Sequence, residues 1–483
     1  MRRKISIGLF SMVFLGAGAS GYASDNSVDL IVKYKPAMKG VLAVKSSSQL
    51  ESGKLTVLSQ QSIDHSSALV KVRLNDDGVK KDAFNQRAYK AARAYMDEHP
   101  EVKYALPKSS KMYAFDMPEP TVSYSASNKG KNVHYWDYQW SMHNTEFGVG
   151  APQAWQMLKN YKTAKTYVGV LDTGLAARSP YDIAKRVKTK GSYYFKLDEA
   201  TDQIVAVADV TDYGYGRSHG THVAGTVAAN GPNVTGVAGP IKSVKVIPVR
   251  VLGDDGSGTT VAILKAMQWA AGYKLLDVKL TDGGEVKKNQ HKVSVINLSL
   301  GLGRIDDYGR EIVDEATWRR DYMVPLCAAW QDTIDMTTKA GVTVVMAAGN
   351  ESHPLWNALP AGCPNIDGVV VESTGPTGEL SYFSNYYDKT EPMRSLTVKS
   401  PGGDKRVDYD TGGILSTLGN GYGYMQGTSM ATPHMAGIIS LIYAMNKDSD
   451  YAYVKSVLKR AQKQRAIINS YDVVKMVLQD QSE

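Results

Sequence analysis

Four side chains in this 483-residue chain have the types needed to open an acyl bond. Ser429 lies in Gly427-Thr428-Ser429-Met430-Ala431-Thr432-Pro433, among small residues and ahead of an apolar run over 430–445 at helical spacing. Such a junction exposes the hydroxyl at the positive end of a helix dipole, where a developing oxyanion is stabilised. A serine there also serves simply as an N-cap. His219, in Ser218-His219-Gly220-Thr221-His222-Val223-Ala224-Gly225-Thr226, opens a helix whose small neighbours let a serine and a substrate come close. His219 and His222, at i and i+3, would also suit a metal, but neither a Glu nor a third His stands nearby. Asp172 follows an apolar strand in Asp172-Thr173-Gly174, where a lone buried charge would be expensive and Gly174 permits a sharp turn. Asn350, in Ala347-Ala348-Gly349-Asn350, offers a side-chain amide to an oxyanion from a strand end. Asp172 and Asn350 each read equally as turn residues when taken alone. Taken together, nucleophile, base, orienting acid and oxyanion donor form a serine-hydrolase set.

The elements that must carry these residues are legible as apolar runs. Strands are predicted over 166–171, 244–252, 293–298, 342–347 and 369–371, with helices over 259–271, 328–340 and 430–445. Apolar strands separated by helices imply an α/β fold with a parallel sheet covered on both faces, and active residues gather at the carboxyl ends of such strands. Ahead of this region, strands over 30–34, 68–74 and 102–105 and a helix over 84–96 suggest a small α+β module. Residues 107–133 turn polar, with Pro118 and Pro120, and read as an exposed linker. Two charged insertions, 274–292 and 304–325, read as surface loops beside a cleft.

Composition narrows the class. The chain is 43% apolar and carries a formal charge of +8 spread along its length. No basic tract is interleaved with aromatics, which argues against a nucleic-acid partner. Residues 1–23 have the pattern of a signal peptide: Arg2, Arg3 and Lys4, an apolar stretch over 5–19, then small residues. About fifteen apolar residues fall short of a membrane span, and no cysteine follows for a lipid anchor. Export to the periplasm or the medium is therefore expected, without a stable membrane anchor. In an oxidising compartment Cys327 and Cys363 can pair, or remain as two buried thiols. No Cys-x-x-Cys is present to support a structural zinc site.

The segments VGVLDTG, SHGTHVAGTVAA, VINLSLG, VVMAAGN and GTSMATPHMAG resemble the subtilisin-like serine proteases, the subtilases, over about residues 139–444. That family has the chain order Asp, His, Ser. The resemblance implies a three-layer fold with a mainly parallel central sheet. It implies Ser429 as nucleophile, His219 as general base and Asp172 as the residue orienting the imidazole. Asn350 and the Ser429 N–H would form the oxyanion hole. Ser299, Leu300 and Gly301 match the edge segment that holds a substrate backbone as an added strand, and Gly256, Ser257 and Gly258 match the opposite wall. Ala347, Ala348 and Gly349 would line the pocket for the residue before the scissile bond; nothing charged lies among them, so a broad or apolar preference is expected. The N-terminal module, including HPEVKYALP, resembles the inhibitory propeptide of these proteases.

This resemblance divides the chain into a signal peptide (1–23), an inhibitor and folding chaperone (24–110), a processing region (111–134) and a catalytic domain (135–483), with the cut falling within 108–133. The cysteines flank the oxyanion strand as paired cysteines do in secreted proteobacterial members, which implies a Cys327–Cys363 disulfide. Family members often hold calcium between a loop after the His helix and an Asp after the DTG turn. Here the loop is 230–235 and the nearest acid, Asp182, is displaced. A structural calcium is therefore left without an assigned site, and the chemistry itself requires no cofactor. The expected partners are protein or peptide substrates and the chain's own propeptide, acting on a monomer. The alternative is a non-catalytic exported binding protein on the same scaffold, whose mark would be loss of a triad residue; none is lost. An esterase would be expected to carry Gly-x-Ser-x-Gly, which Ser429 lacks.

Overall fold

The computed structural model describes residues 27–35, 50–51, 54–64, 66–75, 86–114, 123–125, 134–177, 181–214, 218–305, 310–419 and 421–482. The signal-peptide segment 1–23 and most of 111–134 lie outside the described residues.

Nine strands form the central sheet, in the order Lys279–Leu280, Gln203–Val207, Tyr194–Asp198, Val244–Arg250, Thr166–Asp172, Val295–Leu298, Thr343–Ala347, Val369–Thr374 and Leu396–Pro401. Every neighbouring pair is parallel except Tyr194–Asp198 with Gln203–Val207. The inner strands are apolar on both sides because both sides are covered. Val168, Val170, Val295, Val345, Val369 and Val371 face a core shared with the helices His219–Ala228 and Thr428–Met445. Their alternates Leu171, Ile296, Val344, Met346 and Val370 face a second core with Thr260–Ala270 and Val324–Lys339. This is the expected α/β architecture of helix, sheet and helix layers.

The N-terminal module is a five-stranded antiparallel sheet in the order Leu50–Glu51, Leu55–Asp64, Ser67–Leu74, Ser27–Tyr34 and Val102–Pro107. The helix Gln86–Glu98 covers it, burying Ala91, Ala92 and Tyr95 in the module's own core. The strand Leu55–Asp64 has no counterpart in the sequence reading, because its stretch over 59–63, SQQSI, is mostly polar and exposed.

Three expectations are corrected. Residues 107–133 are not linker throughout: Lys111–Ala114 is a strand with Met112 fully buried. Nor are the insertions solvated loops. Within 274–292, Lys279–Leu280 adds the outermost strand, Val278 and Val286 are buried, and Trp269 Nε1 donates to the Lys287 carbonyl at 2.8 Å. Within 304–325, the π-helical turn Trp318–Met323 leads into Val324–Lys339 and buries Trp318 and Tyr322. Tyr322 stacks on Tyr89 of the module helix with ring centroids 4.0 Å apart. Both insertions look hydrophilic because their few apolar side chains are separated by charges, yet those few anchor them.

Cys327, on the helix Val324–Lys339, is disulfide-bonded to Cys363 with a sequence separation of 36 residues. Closing a loop of that length constrains the unfolded chain by about 3–4 kcal/mol in the chain-entropy model. Replacing both cysteines by alanine is therefore expected to lower the unfolding free energy by about that amount in a denaturant titration. An unchanged midpoint and slope would contradict this role.

Candidate active site

Asp172 ends the central strand and has no solvent exposure. Its Oδ1 accepts hydrogen bonds from His219 Nδ1 at 2.7 Å and from the Thr173 N–H at 2.7 Å. Because a carboxylate can only accept, Nδ1 carries the proton and Nε2 is left as the basic nitrogen. His219 begins the helix His219–Ala228 and is itself buried. A side chain at Gly220 would bring its Cβ within 2.3 Å of the Gly174 carbonyl and 3.2 Å of Asp172 Cβ. Glycine at 220 is what lets the helix start touch the strand end. Thr173 Oγ1 fastens the same junction by donating to Asp212 Oδ2 at 2.6 Å and accepting from the Gly220 N–H at 3.0 Å. Neither Thr173 nor Asp212 carries a sequence signal for this role, because the contact spans 39 residues.

His222 does different work from His219. Its Nε2 donates to the Ile414 and Gly423 carbonyls at 2.9 and 3.2 Å, and burial pushes its pKa down to about 3. It is a neutral pin between the helix and the hairpin Ile414–Leu418/Gly421–Met425. Among the described residues, no three His, Cys, Asp or Glu side chains gather to hold a metal.

Ser429 lies in the first turn of Thr428–Met445, a helix buried along its whole length and packed against the His219 helix. Its N–H falls among those that have no acceptor within a helix. Its hydroxyl donates to the Ser299 carbonyl at 3.1 Å, and the Ser299 hydroxyl donates back to the Ser429 carbonyl at 2.9 Å. The second bond has a covalent cause. The residue four positions after Ser429 is Pro433, which has no N–H to give the Ser429 carbonyl. Ser299 supplies the missing donor, and Asn297 Nδ2 donates in turn to Ser299 Oγ at 3.0 Å.

Asn350 is tied to the same turn. Its Oδ1 accepts from both the N–H and the hydroxyl of Thr428, each at 2.9 Å, so donation falls to its Nδ2 end. The loop carrying Asn350 is organised by Asn385, which escaped the sequence reading. Asn385 Nδ2 donates to the Ala348 carbonyl at 3.1 Å and to Glu351, while its Oδ1 accepts from the N–H groups of Glu351 and His353 at 3.2 and 2.9 Å. Ala347, Ala348 and Gly349 are uncharged and buried. Two residues further on, however, the Glu351 carboxylate reaches both Gly349 and Gly303, closely enough that a Cβ at either would lie within 2.5 or 2.7 Å of it. The uncharged segment therefore has a carboxylate beside it.

The two expected groove walls face each other across one strand. Lys111–Ala114 pairs antiparallel with Ser257–Thr259 on one side and with Leu300–Gly303 on the other. The Ala114 N–H also donates to the Gly256 carbonyl at 3.0 Å.

The segment 230–235 is held by side chains from elsewhere in the fold. Asp182 Oδ2 accepts from the Val234 N–H at 3.2 Å, and burial pushes its carboxyl upward. Gln139 Oε1 accepts from the Thr235 N–H at 2.9 Å and its Nε2 donates to the Thr235 carbonyl at 3.1 Å, while Asn233 Oδ1 accepts the Tyr422 hydroxyl at 3.0 Å. The oxygens named here are engaged by N–H and O–H donors, while Asp182 Oδ1 has no hydrogen-bond partner.

Residues 163–479 match the subtilase family of peptidases. The chain belongs to that family. Among its relatives, an extracellular protease of Xanthomonas campestris pv. campestris is 30% identical over 64% of this chain and 48% of its own length. An extracellular basic protease of Dichelobacter nodosus is 35% identical over 46% of this chain and 31% of its own. This subtilase thus spans about half or less of the length of these curated relatives. A solved structure of proteases from Pseudoalteromonas arctica aligns with a TM-score of 0.54 at 28% identity, over 72% of this chain and 99% of that one. An epidermin leader peptide processing serine protease from Staphylococcus aureus shares the fold over 93% of this chain and 98% of its own, with a TM-score of 0.56 at 21% identity.

Two outcomes follow for this subtilase. Ser299→Ala leaves the buried Ser429 carbonyl without its donor and is expected to lower the unfolding free energy by about 1–3 kcal/mol; an unaltered urea midpoint would show that another donor takes over. Burial likewise pushes His434 down to about 4, so both it and His222 are neutral when folded. Depressed histidines contribute stability that is complete above the unfolded value near 6.5 and is lost as pH falls toward their folded values, by about 1.4 kcal/mol per pH unit for each. Asp182, Asp212 and Glu372, whose carboxyls burial pushes up, act with the opposite sign at the acid end. His222→Gln is accordingly expected to reduce the pH dependence of unfolding between about pH 6.5 and 5 by about one proton. An unchanged slope would mean that His222 titrates normally in the fold.

Proposed function

We propose that the chain is a serine endopeptidase made as an exported zymogen, with Ser429, His219 and Asp172 as its catalytic triad. The observation that carries this reading is the buried 2.7 Å bond from His219 Nδ1 to Asp172, on a helix packed against the one that bears Ser429. His219 Nε2 takes the proton as Ser429 Oγ, rotated from its contact with the Ser299 carbonyl, attacks the peptide carbon. The C–N bond then breaks as the imidazolium returns the proton to the leaving amine. Water hydrolyses the acyl-enzyme by the same route, and Asp172 orients the imidazole and stabilises its charged form throughout. Asn350 Nδ2 and the Ser429 N–H hold the oxyanion. No step calls for a metal or cofactor.

The N-terminal module acts as inhibitor until cut, a reading supported by the strand Lys111–Ala114, which follows the module and pairs with both expected groove walls. Export is supported by relatives named extracellular proteases and agrees with the signal pattern over 1–23. No helix among the described residues is long and apolar enough to cross a membrane.

Ser429→Ala is expected to abolish both hydrolysis of denatured casein and labelling by a fluorophosphonate probe. Asn350→Ala is expected to lower kcat by about 10²–10³, the magnitude known for this donor in the family, with KM little changed. A wild-type protein, freed of its N-terminal module, that neither hydrolyses casein nor takes the label would favour the non-catalytic binding protein.

A further inference from the structure

Two strands of the chain lie on either side of Ser429. Lys111–Ala114 runs along Leu300–Gly303 with Ala114 opposite Leu300, next to the Ser299 whose carbonyl accepts the Ser429 hydroxyl. Ser123–Ser125 pairs antiparallel with Gly421–Met425, the hairpin strand that leads into the Ser429 helix turn. A polypeptide crossing Ser429 thus has its amino side on the Leu300–Gly303 edge. Its leaving side faces the end of the hairpin strand, at Met425 and Gln426.

A cationic loop stands beside Gln426 and holds its side-chain amide at both ends. Gln426 Oε1 accepts the Lys405 N–H at 2.8 Å, and its Nε2 donates to the Tyr382 hydroxyl at 3.0 Å. The Arg406 guanidinium lies over the Tyr382 ring, 3.6 Å from its centroid. Stacking of this kind fixes a long side chain that would otherwise sample many rotamers. Arg406 is 65% exposed, and its one ion pair among the described residues, Nε to Asp404 Oδ1, is long at 3.8 Å. Two acids of the loop are turned to backbone donors. Asp404 is buried and accepts the Tyr382 and Arg406 N–H groups at 3.1 and 2.9 Å. Asp408 accepts the Asp410 and Thr411 N–H groups, each at 3.0 Å. The third acid, Asp410, is exposed, but the charge stacked on the Gln426 partner is that of Arg406. Val407 and Tyr409, in the same loop, are 50% and 69% exposed, so apolar surface adjoins the cation.

We propose that Arg406 makes this chain select substrates by their leaving side, favouring a carboxylate two or three residues after the cut bond, with Val407 and Tyr409 covering the chain beyond. An extended leaving chain advances about 3.3 Å per residue, which brings those positions abreast of Gln426, itself three residues before Ser429. The inference rests on the proposed peptidase reading and adds to it the class of substrate that the site prefers. A carboxylate is attracted to Arg406 and an ammonium is repelled. Because the guanidinium is open to solvent, the preference is a few-fold and is screened by salt.

The test is digestion of a random-sequence peptide library by the protein freed of its N-terminal module, as wild type, Arg406→Ala and Arg406→Lys, with the cut positions read by mass spectrometry. Expected for the wild type is a roughly three- to fivefold excess of Asp and Glu over Lys and Arg at the second and third residues after the cut bond. The excess is expected to vanish in Arg406→Ala, to survive in part in Arg406→Lys, and to shrink in about 1 M salt. A residue that merely supported the loop would change the rate of cutting and leave this ratio alone. No acidic excess in the wild type, or an excess that persists in Arg406→Ala, overturns the inference while leaving the peptidase intact. A wild-type protein that cuts neither the library nor denatured casein would sink the peptidase reading itself.

Discussion

A carboxyl group with no access to water must find its donors inside the protein, and the arrangement of this molecule follows from where Asp172 finds them. One is the adjacent Thr173 N–H; the other is His219, 47 residues away in sequence. Bringing that histidine to the end of the central strand requires two backbones to touch, which glycine at 220 allows. It also requires the helix behind His219 to be held from its far side, and His222 does this through the Ile414 and Gly423 carbonyls. The acid–imidazole pair is thus set by the core rather than by a loop, and side chains locked by packing hold geometry better than loops do.

The second constraint is a deficit created by Pro433. A proline four residues after Ser429 leaves a buried carbonyl with no partner in its own helix, and Ser299 makes good the loss. Ser299 also precedes the edge on which the inserted strand lies, so that strand and the proposed nucleophile meet at adjacent residues of one segment. A displacement of the edge strand would therefore be felt at Ser429 without crossing any other side chain. Asn350 is coupled in the same way, through two bonds from Thr428 to its oxygen.

The five inner strands of the sheet and the principal helices were legible because burial on both faces leaves a continuous apolar record, as in TYVGVLD and TVVMA. Elements that bury only a few residues left a weaker one. The strand Lys111–Ala114 was hidden in a polar stretch, since only Met112 of its four residues is buried. The turn Trp318–Met323 was masked by Arg319, Arg320 and Asp321 between its two buried aromatics. The C-terminal helices Tyr451–Gln464 and Ser470–Asp480 did carry cap signals, with Asp450 accepting from the Tyr453 N–H and Asn469 from the Tyr471 N–H at 2.8 and 2.9 Å.

Residue types and their local surroundings were enough to nominate Asp172, His219, Asn350 and Ser429, because each needs a particular functional group beside small neighbours at the end of an element. Residue type could not reveal which distant groups hold them: Thr173 with Asp212, Asn385 under the Asn350 loop, or Glu351 beside Gly303. Those relations are between positions far apart in sequence, and only the packed fold sets their distances. The same holds for the groove. Its two walls could be named from their own residues, but the register of the strand between them exists only as a ladder of backbone hydrogen bonds.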